Sequence, residues 1–219
     1  MQPMLKQDQN KDNIIIDNQY FGSINYINTL FQFSNIQIEQ YESYQKMSFR
    51  NRCVVAGSNG LVNLSVPLEK GRGQKELMKD VRISHSANWR VQHWRTIESG
   101  YSRSPFFEFY RDAGWGLLEK EETFLLDQNM KILDWLKKVL KITSSVSKTG
   151  EYLKTYPAGV ADLRNRFLPK NHLAEPMGFR YTQVFEDRIG FINNLCILDL
   201  LFNCGPEAKT LLKDNILTI

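Results

Sequence analysis

The side chains with the greatest chemical capacity fall into a few short stretches. Gln19 and Tyr20 are followed by Glu39 and Gln40, then by Gln45-Lys46 and Arg50-Asn51-Arg52. An arginine fork can grip a planar carboxylate or a phosphate through two hydrogen bonds, so Arg50 and Arg52, with Lys46 nearby, are candidates for holding an anionic group. Glu39 is a candidate for moving protons, as is His93. His93 shares four-residue spacing with Trp89 and Tyr101, an arrangement that serves core packing as readily as ligand binding. Asp199 lies in a stretch that is apolar nearly all round, and a carboxylate buried there must be paired or protonated. It is expected either to orient Arg50 or Arg52 or to act as an acid/base. The candidate catalytic set is therefore Glu39, His93 and Asp199. Gln19, Tyr20, Gln40, Lys46, Arg50, Asn51, Arg52, Trp89 and Tyr101 are the candidates for binding.

Several chemistries lack their pattern. His85 and His172 are isolated and have no ligand spacing with Cys53, Cys196 or Cys204, so no metal site is expected. A lone Gly22 is far short of a glycine-rich nucleotide loop, and no GxSxG elbow occurs. No cofactor is indicated by any motif.

These residues need elements to position them. Ile14-Ile15-Ile16 is a β-branched run suited to a buried strand. Residues 18–22 read as a loop. Ile24, Ile27, Leu30 and Phe31 follow at helical spacing behind Ser23, a fitting N-cap. Ile36-Gln37-Ile38 alternates as a strand. Strand, helix and strand make a compact βαβ unit with parallel strands, and ligands in such units gather beyond the carboxyl ends of the strands, where Gln19, Tyr20, Glu39 and Gln40 stand. Residues 53–68 read as a hairpin turning through Gly57, Asn59 and Gly60. Residues 81–84 form a short strand candidate. Helical spacing then dominates, over 88–101, 123–140 and 190–203, the last stopped by Cys204-Gly205-Pro206. Residues 144–170, with Pro157, Gly159 and Pro169, show no clear period. The expected fold is α/β, an N-terminal βαβ unit with a mixed sheet followed by a largely helical C-terminal half. Residues 1–12 are expected to be a flexible tail and 13–219 a single domain.

Bulk properties narrow the setting. Apolar residues make up 42% of the 219 and aromatics 12%, which is a globular composition. A net charge of +4 permits an anionic ligand but does not supply the dense basic face of a nucleic-acid binder. Three cysteines without paired spacing fit reduced thiols in the cytoplasm, and the polar first twelve residues lack the apolar core of a signal peptide. No apolar run is long enough for a membrane span. The expected partner is an anionic small molecule or a sugar nucleotide.

The order of several fragments is also informative. Asn18-Gln19-Tyr20-Phe21-Gly22, Ile38-Glu39-Gln40-Tyr41, Arg50-Asn51-Arg52, Leu64-Ser65-Val66-Pro67, Trp89 to His93, Tyr101 with Pro105-Phe106-Phe107-Glu108, and Leu198-Asp199-Leu200-Leu201-Phe202-Asn203-Cys204-Gly205 follow one another. Together they resemble the WbqC-like family of bacterial proteins. Where that family commonly has a Gln-Pro loop, this chain has Gln19-Tyr20, as a divergent branch would. The resemblance implies surface-polysaccharide (O-antigen) biosynthesis and the transfer of a glycyl or other small acyl group onto a sugar. It supplies no established catalytic residues. Two other readings stay open. One is a nucleotidyltransferase-like enzyme, although residues 22–25 lack the histidine motif at the first helix. The other is a non-catalytic module that binds a sugar or a partner protein.

Overall fold

The computed structural model describes residues 12–71 and 73–217; the expected tail, residues 1–12, lies almost wholly outside them. Strand β1 (Asn13–Ile16) buries Ile14, Ile15 and Ile16 together, which requires cover on both faces. Each buried isoleucine contributes about 1.5–3 kcal/mol relative to exposure. The chain then enters α1 (Ile24–Leu30), whose Ser23 side chain accepts the Tyr26 N–H, and returns as β2 (Asn35–Ile38). Parallel pairing runs from Asn13 opposite Asn35 to Ile16 opposite Ile38, as the βαβ pattern predicts.

Two further strands complete this sheet from a stretch where no element was expected. Strands β5 (Ser145–Lys148) and β6 (Val160–Asp162) add in parallel to β2 and β1, giving the order β5-β2-β1-β6. They hold only Val146, Val160 and Ala161 as apolar residues, so the neighbouring strands, rather than their own pattern, make them strands. The hairpin forms as expected from β3 (Arg52–Gly57) and β4 (Gly60–Ser65), around a two-residue turn at Ser58-Asn59. It is a sheet of its own, so the parallel and antiparallel pairings of this α/β fold are segregated. Residues 81–84 make only isolated bridges, Leu68 to Ile83 and Arg82 to Phe124.

The remainder is largely helical. Helix α2 (Trp89–Tyr101) buries Trp89, His93, Ile97 and Tyr101 at the predicted four-residue spacing. It packs on α3 (Phe107–Glu119), and α4 (Leu125–Leu140) buries a continuous leucine and isoleucine stripe. The helix expected over 190–203 is shorter. A brief α5 (Glu186–Ile189) ends at Gly190, and α6 (Ile197–Cys204) begins only after Cys196 has donated its N–H to the Val54 carbonyl and Asn194 has taken a left-handed turn at φ 52°. Helix α7 (Glu207–Asp214) follows. Among the described residues no helix is long and apolar enough to cross a membrane.

Gly205 ends α6 at φ 54°, with its N–H on the Leu201 carbonyl. A Cβ there would overlap the Phe106 ring, whereas one at Gly159 (φ 93°) would meet nothing within 4 Å. Gly205→Ala should therefore lower stability by about 2–4 kcal/mol in chemical denaturation, against about 1 kcal/mol for Gly159→Ala. Equal losses for the two variants would remove the ring contact from this account.

Candidate functional site

The segments that follow β1, β2 and β6 meet around one buried arginine. A short turn, Phe49–Asn51, capped by the Ser48 hydroxyl, places Arg50 with its side chain fully enclosed. Its Nε donates to Glu42 Oε1 at 3.0 Å, and its Nη2 reaches the same oxygen and Asn165 Oδ1. Asp17, directly after β1, holds Oδ2 3.9 Å from Arg50 Nη1 while its Oδ1 accepts the Asn165 N–H at 2.9 Å. Burial pulls the guanidinium towards neutrality, but Asp17 and Glu42 outweigh it and keep the charge in place. Glu42 is pushed up by burial against the opposing pull of Arg50. Its second oxygen accepts no hydrogen bond among the described residues.

Glu39 is equally enclosed and holds the next layer. Its Oε1 accepts the Tyr41 N–H at 2.8 Å and the Thr149 hydroxyl at 3.0 Å; its Oε2 accepts the Tyr156 hydroxyl and faces Arg164 Nη1 at 3.5 Å. Gln40 donates from Nε2 to the Thr149 carbonyl, so Glu39 and Gln40 together clamp the end of β5. Arg164 is fully engaged. It binds Asp162 through Nε and Nη2, reaches the carbonyls of Leu153 and Lys154, and stacks its guanidinium about 5 Å from the ring centroids of Tyr152 and Tyr156. Hydrogen bonding from Arg164 in turn holds the Asp162 carboxyl below its ordinary value.

A pocket of about 270 Å³ opens at this edge, lined by Glu42, Tyr152, Asp162, Arg164 and Asn165. Four carboxylates (Asp17, Glu39, Glu42, Asp162) surround two arginines whose charges they already neutralise. The edge thus carries excess negative charge and aromatic surface rather than an open cation. Its chemistry suits hydroxyl groups, which carboxylate and amide oxygens accept, and the apolar face of a sugar ring, which an aromatic face covers.

The other expected site residues are distributed as follows. Gln19 is at the edge, donating to Asp17 and to the Phe167 carbonyl. Asn51 turns away, between the Tyr44 hydroxyl and the Val66 carbonyl. Arg52 is half-buried and Lys46 exposed. Tyr20 hydrogen-bonds His93 Nδ1 at 3.0 Å, and Trp89 packs edge-on against both rings. Burial lowers the His93 pKa to about 4, so the imidazole is neutral at pH 7. Asp199 does not meet Arg50 or Arg52. It accepts the hydroxyls of Tyr101 and Tyr181, each at 2.7 Å, and Asn203 Nδ2 at 3.3 Å. Glu39, His93 and Asp199 therefore sit in three separate hydrogen-bonded groups. The pocket-lining residues that sequence reasoning missed come chiefly from 152–165. Only the Tyr152/Tyr156 and Asp162/Arg164 spacings hinted at them. Among the described residues no group of three or more His, Cys, Asp or Glu is placed to hold a metal.

Burial raises the Asp199 pKa from 3.8 to about 6, against the lowering effect of its hydroxyl partners. The folded state then keeps a proton that the unfolded chain has lost, so this group's contribution to stability falls as pH rises from about 4 to about 6. The fall amounts to about 3 kcal/mol. Subtracting the Asp199→Asn stability profile from that of the parent chain should isolate this slope. A difference that stays flat between pH 4 and 6 would show that Asp199 is ionised throughout.

Comparison with known proteins places the geometry in a family. The model of the WbqC-like protein family matches residues 18–166, a stretch that contains every residue lining the sheet-edge pocket. The uncharacterized protein Rv1507c of Mycobacterium tuberculosis is 25% identical over 219 aligned residues, covering 89% of this chain and 91% of that protein. No solved structure matches the chain. With the family model spanning the strand ends and the loops that build the edge, the chain belongs to the WbqC-like protein family.

Proposed function

We propose that this protein is a cytoplasmic transferase that moves a small acyl or aminoacyl group, such as glycyl, onto a sugar during surface-polysaccharide (O-antigen) biosynthesis. The reading is carried by the sheet-edge pocket, where Tyr152 is 51% exposed beside Glu42, Asp162 and Asn165. One face of that ring is backed by Arg164, and the open part covers the sugar. Asn165 and Asp162 accept and orient its hydroxyls. Glu42, already pushed up by burial, takes the proton of the attacking hydroxyl. That oxygen forms the new bond to the acyl carbon as the bond to the donor breaks, and the proton passes on to the leaving group. Gln19, Glu39, Gln40 and Arg50 position this surface from beneath. The family's resemblance-based link to surface glycans supplies the setting.

Mass spectrometry of nucleotide sugars incubated with aminoacyl and acyl donors should detect the acylated sugar. Glu42→Gln should reduce the rate by about 10²-fold or more, the usual scale for a general base. Tyr152→Ala should weaken acceptor binding by about tenfold while leaving the unfolding midpoint unchanged. Sugar binding without any product would favour a non-catalytic binding module, and a Tyr152→Ala variant that binds normally would move the acceptor away from this pocket.

A further inference from the structure

A second cavity lies away from the sheet edge. It is a cleft of about 1180 Å³ between one face of α2, the tip of the β3–β4 hairpin and residues 182–188. Its floor is formed where the helix meets the hairpin backbone: a Cβ at Gly100 would stand 3.2 Å from the Ala56 carbonyl oxygen. Arg95 of α2, Arg103 just beyond it and Arg188 of α5 all line the cleft. All three are exposed.

The pairing of arginines elsewhere gives this cluster its meaning. Among the described residues, Arg50, Arg82, Arg90, Arg111, Arg164, Arg166 and Arg180 each pair with a carboxylate. Arg52, Arg95, Arg103 and Arg188 do not, and the last three line this one cleft. Asp187 is the carboxylate among the lining residues, and it is paired with none of them. Like charges gathered around a concave surface repel one another, and an anion bound between them relieves that repulsion. Guanidinium forks match phosphate oxygens in charge and in two-pronged geometry. The volume exceeds what phosphate groups occupy, so it suits an organic molecule that carries them.

We propose that this cleft binds the diphosphate group of a phosphorylated small molecule, with Arg95, Arg103 and Arg188 as its anchors. The site is independent of group transfer at the sheet edge. Titration calorimetry of the full chain with inorganic diphosphate and with uridine diphosphate tests it. Diphosphate should bind, and Arg95→Gln, Arg103→Gln and Arg188→Gln should each weaken it by about tenfold. Arg82→Gln, which removes an exposed arginine elsewhere, should leave it unchanged. Tighter binding of the nucleotide would identify a nucleotide-borne diphosphate, and equal binding a free one. Raising sodium chloride from about 50 to about 200 mM should weaken both. Absence of heat with either probe, or equal weakening by Arg82→Gln, would overturn the proposal. Tyr152→Ala should leave diphosphate binding intact even if sugar binding is lost.

Discussion

A single enclosed guanidinium sets the architecture of the sheet edge. Removing Arg50 from water carries a desolvation penalty of several kcal/mol, and only close carboxylates and further acceptors offset it. Its three partners come from different strand ends: Asp17 follows β1, Glu42 follows β2 and Asn165 follows β6. The charge therefore fixes the relative positions of segments separated by more than a hundred residues in the chain. Asn129 of α4 adds a hydrogen bond to the Arg50 carbonyl, which ties the helical half to the same point.

The pocket inherits its character from this arrangement. Because Arg50 and Arg164 are enclosed and neutralised, what reaches solvent is carboxylate, amide and tyrosine ring. Glu39 works from below, with Thr149, Tyr156 and Arg164 attached to its two oxygens, so the loop carrying Tyr152 and the segment after β6 are pinned to the sheet. Preorganisation of this kind lets a shallow surface select one orientation of a ligand. Positive charge gathers instead in the α2 cleft, where three arginines have no carboxylate partner among the described residues. The molecule thus separates a carboxylate- and tyrosine-lined pocket from an arginine-lined cleft, despite a net charge of only +4.

The buried acids show how environment divides similar groups. Asp17 and Glu42 face a guanidinium. Asp199 faces only tyrosine hydroxyls and an amide, and burial raises its pKa to about 6; burial also pushes Glu42 up, but there Arg50 pulls against it. Sequence reasoning placed Asp199 in the interior from the apolar residues around it, and the structure agrees. The partner was beyond that reasoning, since Tyr101 and Tyr181 lie 98 and 18 residues away. Similarly, Trp89, His93 and Tyr101 share a helix face as their spacing required, yet His93 turned to Tyr20 and Tyr101 to Asp199.

Local chemistry by itself determined the βαβ start, the Ser23 cap, the hairpin turn, the α2 and α4 faces and the stop at Gly205. Each of these rests on residues within a few positions of one another, where periodicity and turn chemistry act directly. It also brought Gln19, Glu39 and Gln40 to one edge, since strand ends in a parallel unit share a direction, and put Arg50 in the segment that follows them. Tertiary structure alone decided that these four would form the scaffold while Tyr152, Asp162 and Asn165 form the surface. The strands β5 and β6, which carry Asp162 or lead into the loops bearing Tyr152 and Asn165, are too short and too polar to declare themselves. They exist because β1 and β2 offer unpaired backbone along their edges, and because Asp17 and Glu39 hold the loops that follow. Which groups meet across such distances depends on the enclosed charges being satisfied together, a condition that no local pattern encodes.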